Sequence, residues 1–119
     1  VVFLKNISND LKNALISKSN IFIMPSVIYN KSVEGFGISF IEAAQHGIAS
    51  IGGKDGGASD AIVHEKTGLI VDGNNLEDIY SAIDELLKNH KYKDFGKAAK
   101  EFSEKFLWDK IILNYKKIL

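Results

Sequence analysis

A chain of 119 residues is the size of one domain and can bury a moderate core. Its 15 basic residues balance its 15 acidic ones, so no charged surface recommends nucleic acid or an anionic membrane as a partner. Cysteine is absent, which excludes a disulfide scaffold and a thiolate metal site and is compatible with the cytosol.

Val1-Val2-Phe3-Leu4 reads as a strand; it has neither a basic n-region nor a small-residue cleavage site, and no apolar run approaches the roughly 18 residues of a membrane span. Asn9 to Ser17 is an amphipathic helix, and Ile21-Phe22-Ile23-Met24 is a buried strand halted by Pro25. A loop leads to Glu34-Gly35-Phe36-Gly37, after which Ile38 to His46 reads as a nearly all-apolar helix. Gly47 is a natural C′ residue, Ile48 to Ile51 a further strand, and Gly52 to Gly57 a loop of permissive backbone. Ala58 to His64 suggests a short helix and Gly68-Leu69-Ile70-Val71 a fourth strand. Asn75 is placed to cap a helix over Leu76 to Lys88, whose Leu76, Ile79, Tyr80, Ile83, Leu86 and Leu87 form one apolar face and are expected in the core. Two further helices, Tyr92 to Phe106 and Trp108 to Leu119, complete the chain. Short strands joined by crossover helices predict an α/β fold with a parallel sheet and with ligands at the carboxyl ends of the strands.

The stretch Glu34 to Glu42 sits at such an end and carries the chemistry. Gly35 and Gly37 lack a Cβ, so the backbone can turn tightly and approach a ligand. The helix they introduce starts with N–H groups that have no intrahelical partner, and the macrodipole adds roughly half a positive charge there. A diphosphate suits that start. Glu34 before the helix and Glu42 within it could accept hydrogen bonds from hydroxyls on either side of it. All basic residues are lysine, so no arginine fork is available, and a diphosphate would rely on backbone N–H groups or lysine.

Other chemistries fit less well. Gly35 to Phe40 lacks the third glycine of a dinucleotide fingerprint, the Gly52 to Gly57 loop has no Gly-Lys-Ser/Thr, and Glu42 to His46 does not match H-E-x-x-H. Ser39 and Ser59 are not in a G-x-S-x-G elbow. Lys54 reads as solvated, His46 as a residue near a helix end, and His64 and His90 have no partner identifiable from sequence. No metal site is expected. Paired carboxylates also serve glycoside hydrolysis when they face each other across about 5 to 9 Å, but an anion-binding turn between them has no purpose there.

The run from Pro25-Ser26 through Glu34-Gly35-Phe36-Gly37, Glu42-Ala43, Gly47, Gly56-Gly57-Ala58 and Thr67-Gly68-Leu69-Ile70-Val71 resembles the second Rossmann domain of retaining GT-B glycosyltransferases, the group 1 family. Val33-Glu34-Gly35 and Gly56 to Asp60 are most similar to the branch containing bacterial mannosyltransferases that act on phosphoinositides. The resemblance implies a nucleotide-diphosphate sugar donor such as GDP-mannose or UDP-glucose, transfer of a hexose with retention at the anomeric carbon, and no metal or other cofactor. Glu34, in the catalytic position, would bind hydroxyls of the donor sugar as a positioner rather than a nucleophile. The amides of Gly35, Phe36, Gly37 and Ile38 would contact the sugar and diphosphate, and Glu42 the ribose. A glycan or lipid-linked acceptor would be held by a first domain, in the cytoplasm and in some members at the membrane surface.

The family pattern is incomplete. The first domain, the first two strands of the second and the Arg/Lys pair that neutralises the diphosphate have no counterpart in these residues. In the strand order 3-2-1-4-5-6, Val1 to Leu4 would be the third strand, separated from Ile21 to Met24 by two strands not present. The chain is therefore expected to be part of a longer protein, inactive alone, or to pair its exposed sheet edge with another copy; the apolar residues around Trp108 are expected to be exposed. Two rivals share the architecture: a glycosyltransferase-like assembly or regulatory module in which Glu34 and Glu42 are vestigial, and a sugar-phosphate epimerase or phosphorylase with a different partner domain.

Overall fold

A computed structural model describes residues 1–27 and 37–118, and the side chains of residues 1–27, 37–105 and 116. Three short strands, β1 (Ile21–Met24), β2 (Ala49–Gly53) and β3 (Gly68–Val71), form a parallel sheet in the order β1-β2-β3. That order matches the last three strands of the 3-2-1-4-5-6 arrangement. The register aligns Ile23 with Ile51 and Leu69, and Met24 with Gly52 and Ile70. Successive side chains point to opposite faces, so each face receives its own apolar set. The middle strand β2 is buried along its whole length, as a parallel strand covered by crossover helices must be.

On one face, Ala49, Ile51, Leu69 and Val71 pack with Ala82 and Leu86 of helix α4 (Leu76–Leu87), backed by Tyr92 and Phe95 of helix α5 (Lys91–Ile118). On the other, Phe22, Met24 and Ile70 meet Phe40 and Ile41 of helix α2 (Ile38–Gln45) and Ala58 and Ala61 of helix α3 (Ala58–Ala61). Phe22 and Phe40 make an edge-to-face pair with ring centroids 5.6 Å apart, the arrangement that ring quadrupoles favour. Helix α1 (Asn9–Ser17) lies on α2, held by Ile16 against Ala43 and Ile48.

Local chemistry sets several ends. The Asn75 side chain accepts from the amides of Glu77 and Asp78 and starts α4, as expected; Ser8 caps α1 in the same way through Leu11. Helix α2 stops in a Schellman motif: Gly47, at φ +74°, donates to the Ala44 carbonyl, and Ile48 donates to that of Ala43. The helix therefore ends at Gln45, with His46 as the C-cap.

Four sequence expectations are corrected. Val1 to Leu4 is not a strand and is exposed, because among the described residues no neighbouring strand pairs with it. Helix α3 ends at Ala61 rather than His64; Ile62 is already extended, and the Thr67 hydroxyl takes the Val63 amide at 2.8 Å, closing a turn instead of a helix. The two helices expected over Tyr92 to Phe106 and Trp108 to Leu119 are replaced by one helix, α5 (Lys91–Ile118), since neither Gly nor Pro interrupts the chain near Leu107; Leu119 lies outside the described residues. The apolar stripe of α4 is only partly core: Ile79, Ala82, Ile83 and Leu86 face the sheet, whereas Leu76, Tyr80 and Leu87 are exposed. The expected exposure around Trp108 falls on side chains outside the described residues.

Candidate functional site

The carboxyl ends of the three strands converge on one patch of backbone. β1 runs into Pro25, Ser26 and Val27, and these lie against the end of β2 and the loop after β3. A Cβ on Gly53 would stand 2.1 Å from the Ser26 carbonyl oxygen, and one on Gly73 would stand 2.3 Å from that of Pro25. Neither distance is compatible with a side chain, so both glycines serve close approach of main chain to main chain. They hold the segment that leads into residues 28–36.

Gly37 follows that segment and caps α2 without a side-chain hydrogen bond. Its carbonyl accepts from Phe40 at 3.0 Å and Ile41 at 3.3 Å. The amides of Ile38 and Ser39 have no acceptor among the described residues, as expected of a first helical turn. Gly37 also answers a packing demand, because a Cβ there would come within 2.5 Å of the buried Phe40 ring. One glycine thus seats the helix on its core and starts it with amides that have no acceptor among the described residues.

Glu42 lies one turn along α2 from Ile38. At about 1.5 Å of rise per residue, the two are about 6 Å apart along the axis. Ile38 is exposed and Glu42 half-buried, while Phe40, Ile41, Ala43 and Ala44 are buried, so the Ile38 and Glu42 side chains share the outward stripe of the helix. The Glu42 carboxylate is paired with Lys12 of α1, Nζ to Oε2 at 3.1 Å. Of the residues singled out by sequence, the structure brings Gly37, Ile38 and Glu42 onto one helix. Glu34, Gly35 and Phe36 lie outside the described residues.

The end of β2 is a structural joint: Gly52 and Gly53, expected in a loop after a strand over Ile48 to Ile51, belong to the strand itself. A Cβ on Gly52 would meet the Ala58 methyl at 2.7 Å and Ile62 Cδ1 at 2.9 Å, so its absence lets α3 close onto the sheet. Lys54 is exposed, as expected, but not alone: its Nζ lies 3.4 Å from Asp72 Oδ2 in the loop after β3. The Asn74 amide, followed by Lys54, holds the Asp72 carboxyl below its ordinary titration range.

Sequence reasoning missed the partners of Lys12, His64 and His90. Lys12 belongs beside Glu42, with no local signal beyond its place one turn before Ile16 on the buried side of α1. His64 accepts a hydrogen bond at Nδ1 from the Ile70 amide at 2.9 Å and so helps fasten the start of β3; His90 packs edge-on against Tyr92. Among the described residues, no group of three or more His, Asp and Glu could hold a metal ion, and no helix is long and apolar enough to cross a membrane.

Three parallel strands between helical layers, with the start of α2 at their carboxyl ends, define a Rossmann-like α/β unit. Residues 1–102 match the family of glycosyl transferases group 1, and the chain belongs to it. It is 34% identical over 113 residues to the GDP-mannose-dependent alpha-(1-6)-phosphatidylinositol monomannoside mannosyltransferase of Mycobacterium tuberculosis, covering 92% of this chain and 29% of that protein. The mannosyltransferase branch expected from Val33 to Gly35 and Gly56 to Asp60 is thus among its relatives. An uncharacterized glycosyltransferase of Methanocaldococcus jannaschii, MJ1178, is 33% identical over 86 residues, covering 71% of this chain and 24% of that one. Among solved structures, sucrose-phosphate synthase from Thermosynechococcus elongatus superposes with a TM-score of 0.83 at 24% identity, over 98% of this chain and 29% of that one. Anabaena Alr3699/HepE in complex with UDP gives 0.72 at 17% identity, over 88% and 29%. These two likenesses are of fold. The chain spans 29% of the length of the M. tuberculosis relative.

Proposed function

We propose that this chain is the nucleotide-sugar-binding part of a retaining glycosyltransferase, a segment of a longer two-domain protein that is inactive by itself. The reading rests on one observation above all: α2 starts at the carboxyl ends of the strands with Ile38 and Ser39 amides that have no acceptor among the described residues, and carries Glu42 one turn further on. A diphosphate accepts hydrogen bonds from the amide end, where the helix dipole is positive. The ribose, a few ångströms further along, offers hydroxyls to Glu42. Glu34 positions the donor sugar, and Gly35, Phe36 and Gly37 contribute amides around the leaving diphosphate. Stabilising that departing charge is the catalytic contribution of this half, since preorganised donors in other enzymes are worth about 3 kcal/mol each.

GDP-mannose is the first donor to test, because the mannosyltransferase of M. tuberculosis is named as GDP-mannose-dependent; UDP-glucose is the second, because Alr3699/HepE is solved with it. The acceptor, a glycan or a lipid-linked sugar, is held by another domain, at the cytoplasmic membrane surface when it is a lipid. When that domain and the strands beside β1 are missing, β1 offers its outer edge to a second copy.

Isothermal titration of GDP-mannose and UDP-glucose into the longest chain carrying these residues tests the reading. Saturable binding that Glu42→Ala weakens by about 1 kcal/mol or more, the scale of one hydrogen bond, supports it. A folded two-domain sample that takes up neither donor refutes it.

A further inference from the structure

We propose that Lys12 is a positioning residue for the nucleotide, acting through Glu42; this rests on the donor-site reading above. The two side chains come from helices 30 residues apart in sequence, and packing sets their meeting. Ile16, one turn after Lys12 on α1, is buried against Ala43, the residue next to Glu42. That contact fixes the register of α1 on α2 and brings the Lys12 ammonium to 3.1 Å from Oε2 of Glu42.

The pair fixes the geometry of a ribose acceptor. An ionised carboxylate offers about four lone-pair sites, and Lys12 occupies one of them on Oε2. That selects an orientation for the side chain and leaves Oε1 to take a hydroxyl of the ribose cis-diol. With 40% and 31% of the two side chains exposed, the ion pair contributes little to folding. Its effect should therefore be read in ligand affinity rather than in stability.

The test uses GDP and UDP and their 2′,3′-dideoxy analogues, titrated into the longest chain carrying these residues and into Lys12→Met, Lys12→Arg, Glu42→Gln and the Lys12→Met/Glu42→Gln double variant. Lys12→Met is expected to weaken the ribonucleotide roughly 3- to 10-fold, the scale of one hydrogen bond, and to change dideoxynucleotide binding by less than about 2-fold. Lys12→Arg should restore ribonucleotide affinity, and in the Glu42→Gln background Lys12→Met should leave the ratio of ribo- to dideoxynucleotide affinity unchanged. Equal weakening of both nucleotide types by Lys12→Met overturns the proposal, because it marks a general charge effect. So does unchanged affinity in Lys12→Met while Glu42→Gln still abolishes the preference for ribose; there the donor site stands and Lys12 has no part in it. If the unsubstituted protein binds ribo- and dideoxynucleotides alike, or neither, the ribose role of Glu42 fails and takes the proposal with it.

Discussion

Replacing Gly53 by alanine should separate the stability of the sheet from the shape of the site. The added methyl would be built 2.1 Å from the Ser26 carbonyl oxygen, 2.9 Å from the Ser26 nitrogen and 3.1 Å from the Pro25 carbonyl carbon. A carbon–oxygen contact closes at about 3.3 Å, so the main chain at Ser26 must retreat by about 1.2 Å. All three obstructing atoms are backbone, with no side chain able to swing away, which places the cost near the top of the ~1–3 kcal/mol range for overpacking. Gly68 supplies the control. Its Cβ would stand 2.2 Å from the Ser50 carbonyl oxygen, almost the same collision, but at the amino end of β3 rather than the carboxyl end of β2. Urea unfolding of both variants should show comparable losses of roughly 2–3 kcal/mol. Titration with GDP under conditions where both remain folded should show at least about a 10-fold loss of affinity for Gly53→Ala, equivalent to about 1.4 kcal/mol, and less than about 2-fold for Gly68→Ala. A Gly53→Ala protein within about 0.5 kcal/mol of the parent refutes the close approach itself. Equal affinity losses in the two variants refute the link between the end of β2 and the nucleotide.

Two further expectations follow from burial and charge. Leu86→Ala should cost about 2–5 kcal/mol in chemical unfolding because Leu86 is fully buried between α4 and the sheet, whereas Tyr80→Ser on the exposed stripe should fall within about 0.5 kcal/mol; similar losses at the two positions would mean that Tyr80 is covered. Asp72 has a folded pKa below its unfolded one, chiefly through the Asn74 amide and then Lys54, so its stabilising contribution is present above the unfolded carboxylate pKa and disappears as pH falls through the lowered folded value. The stability difference between the parent and Asp72→Ala should accordingly shrink on acidification through that window, and a difference that grows instead contradicts the ion pair and amide contact.

Much of the fold is legible in the sequence because its signals are local. Asn75 and Gly47 mark helix ends through chemistry contained within a few residues, and the structure uses both as caps. The boundaries of α1 and β1 agree with the pattern read from sequence for the same reason. Three of the four misreadings involve partners outside the segment that was read. Val1 to Leu4 is apolar enough for a strand, but a strand exists only beside another. The α3 extension loses to the Thr67 hydroxyl, which competes for the Val63 amide from four residues away. On α4 the apolar arc is present as its period indicates, yet the sheet meets one side of it. At roughly 100° per residue, Leu76, Tyr80 and Leu87 fall on the outer edge, Ile79 and Ile83 in the middle, and Leu86 with Ala82 against the sheet.

The candidate site divides along the same line. Its backbone part is written in glycine spacing and can be read from the residues alone, as Gly37 at the start of α2 demonstrates. Its side-chain part cannot, because the Lys12–Glu42 pair depends on how α1 rests on α2 through Ile16 and Ala43. That pair also changes what a single substitution reports. Truncating Glu42 removes the proposed ribose acceptor but leaves the Lys12 ammonium unpaired beside a site proposed to hold a diphosphate, where a free cation attracts the ligand. The two consequences oppose each other, so the affinity lost in Glu42→Ala is a lower bound on the hydrogen bonds removed. Substituting Glu42 in a Lys12→Met background removes the offset and isolates the carboxylate.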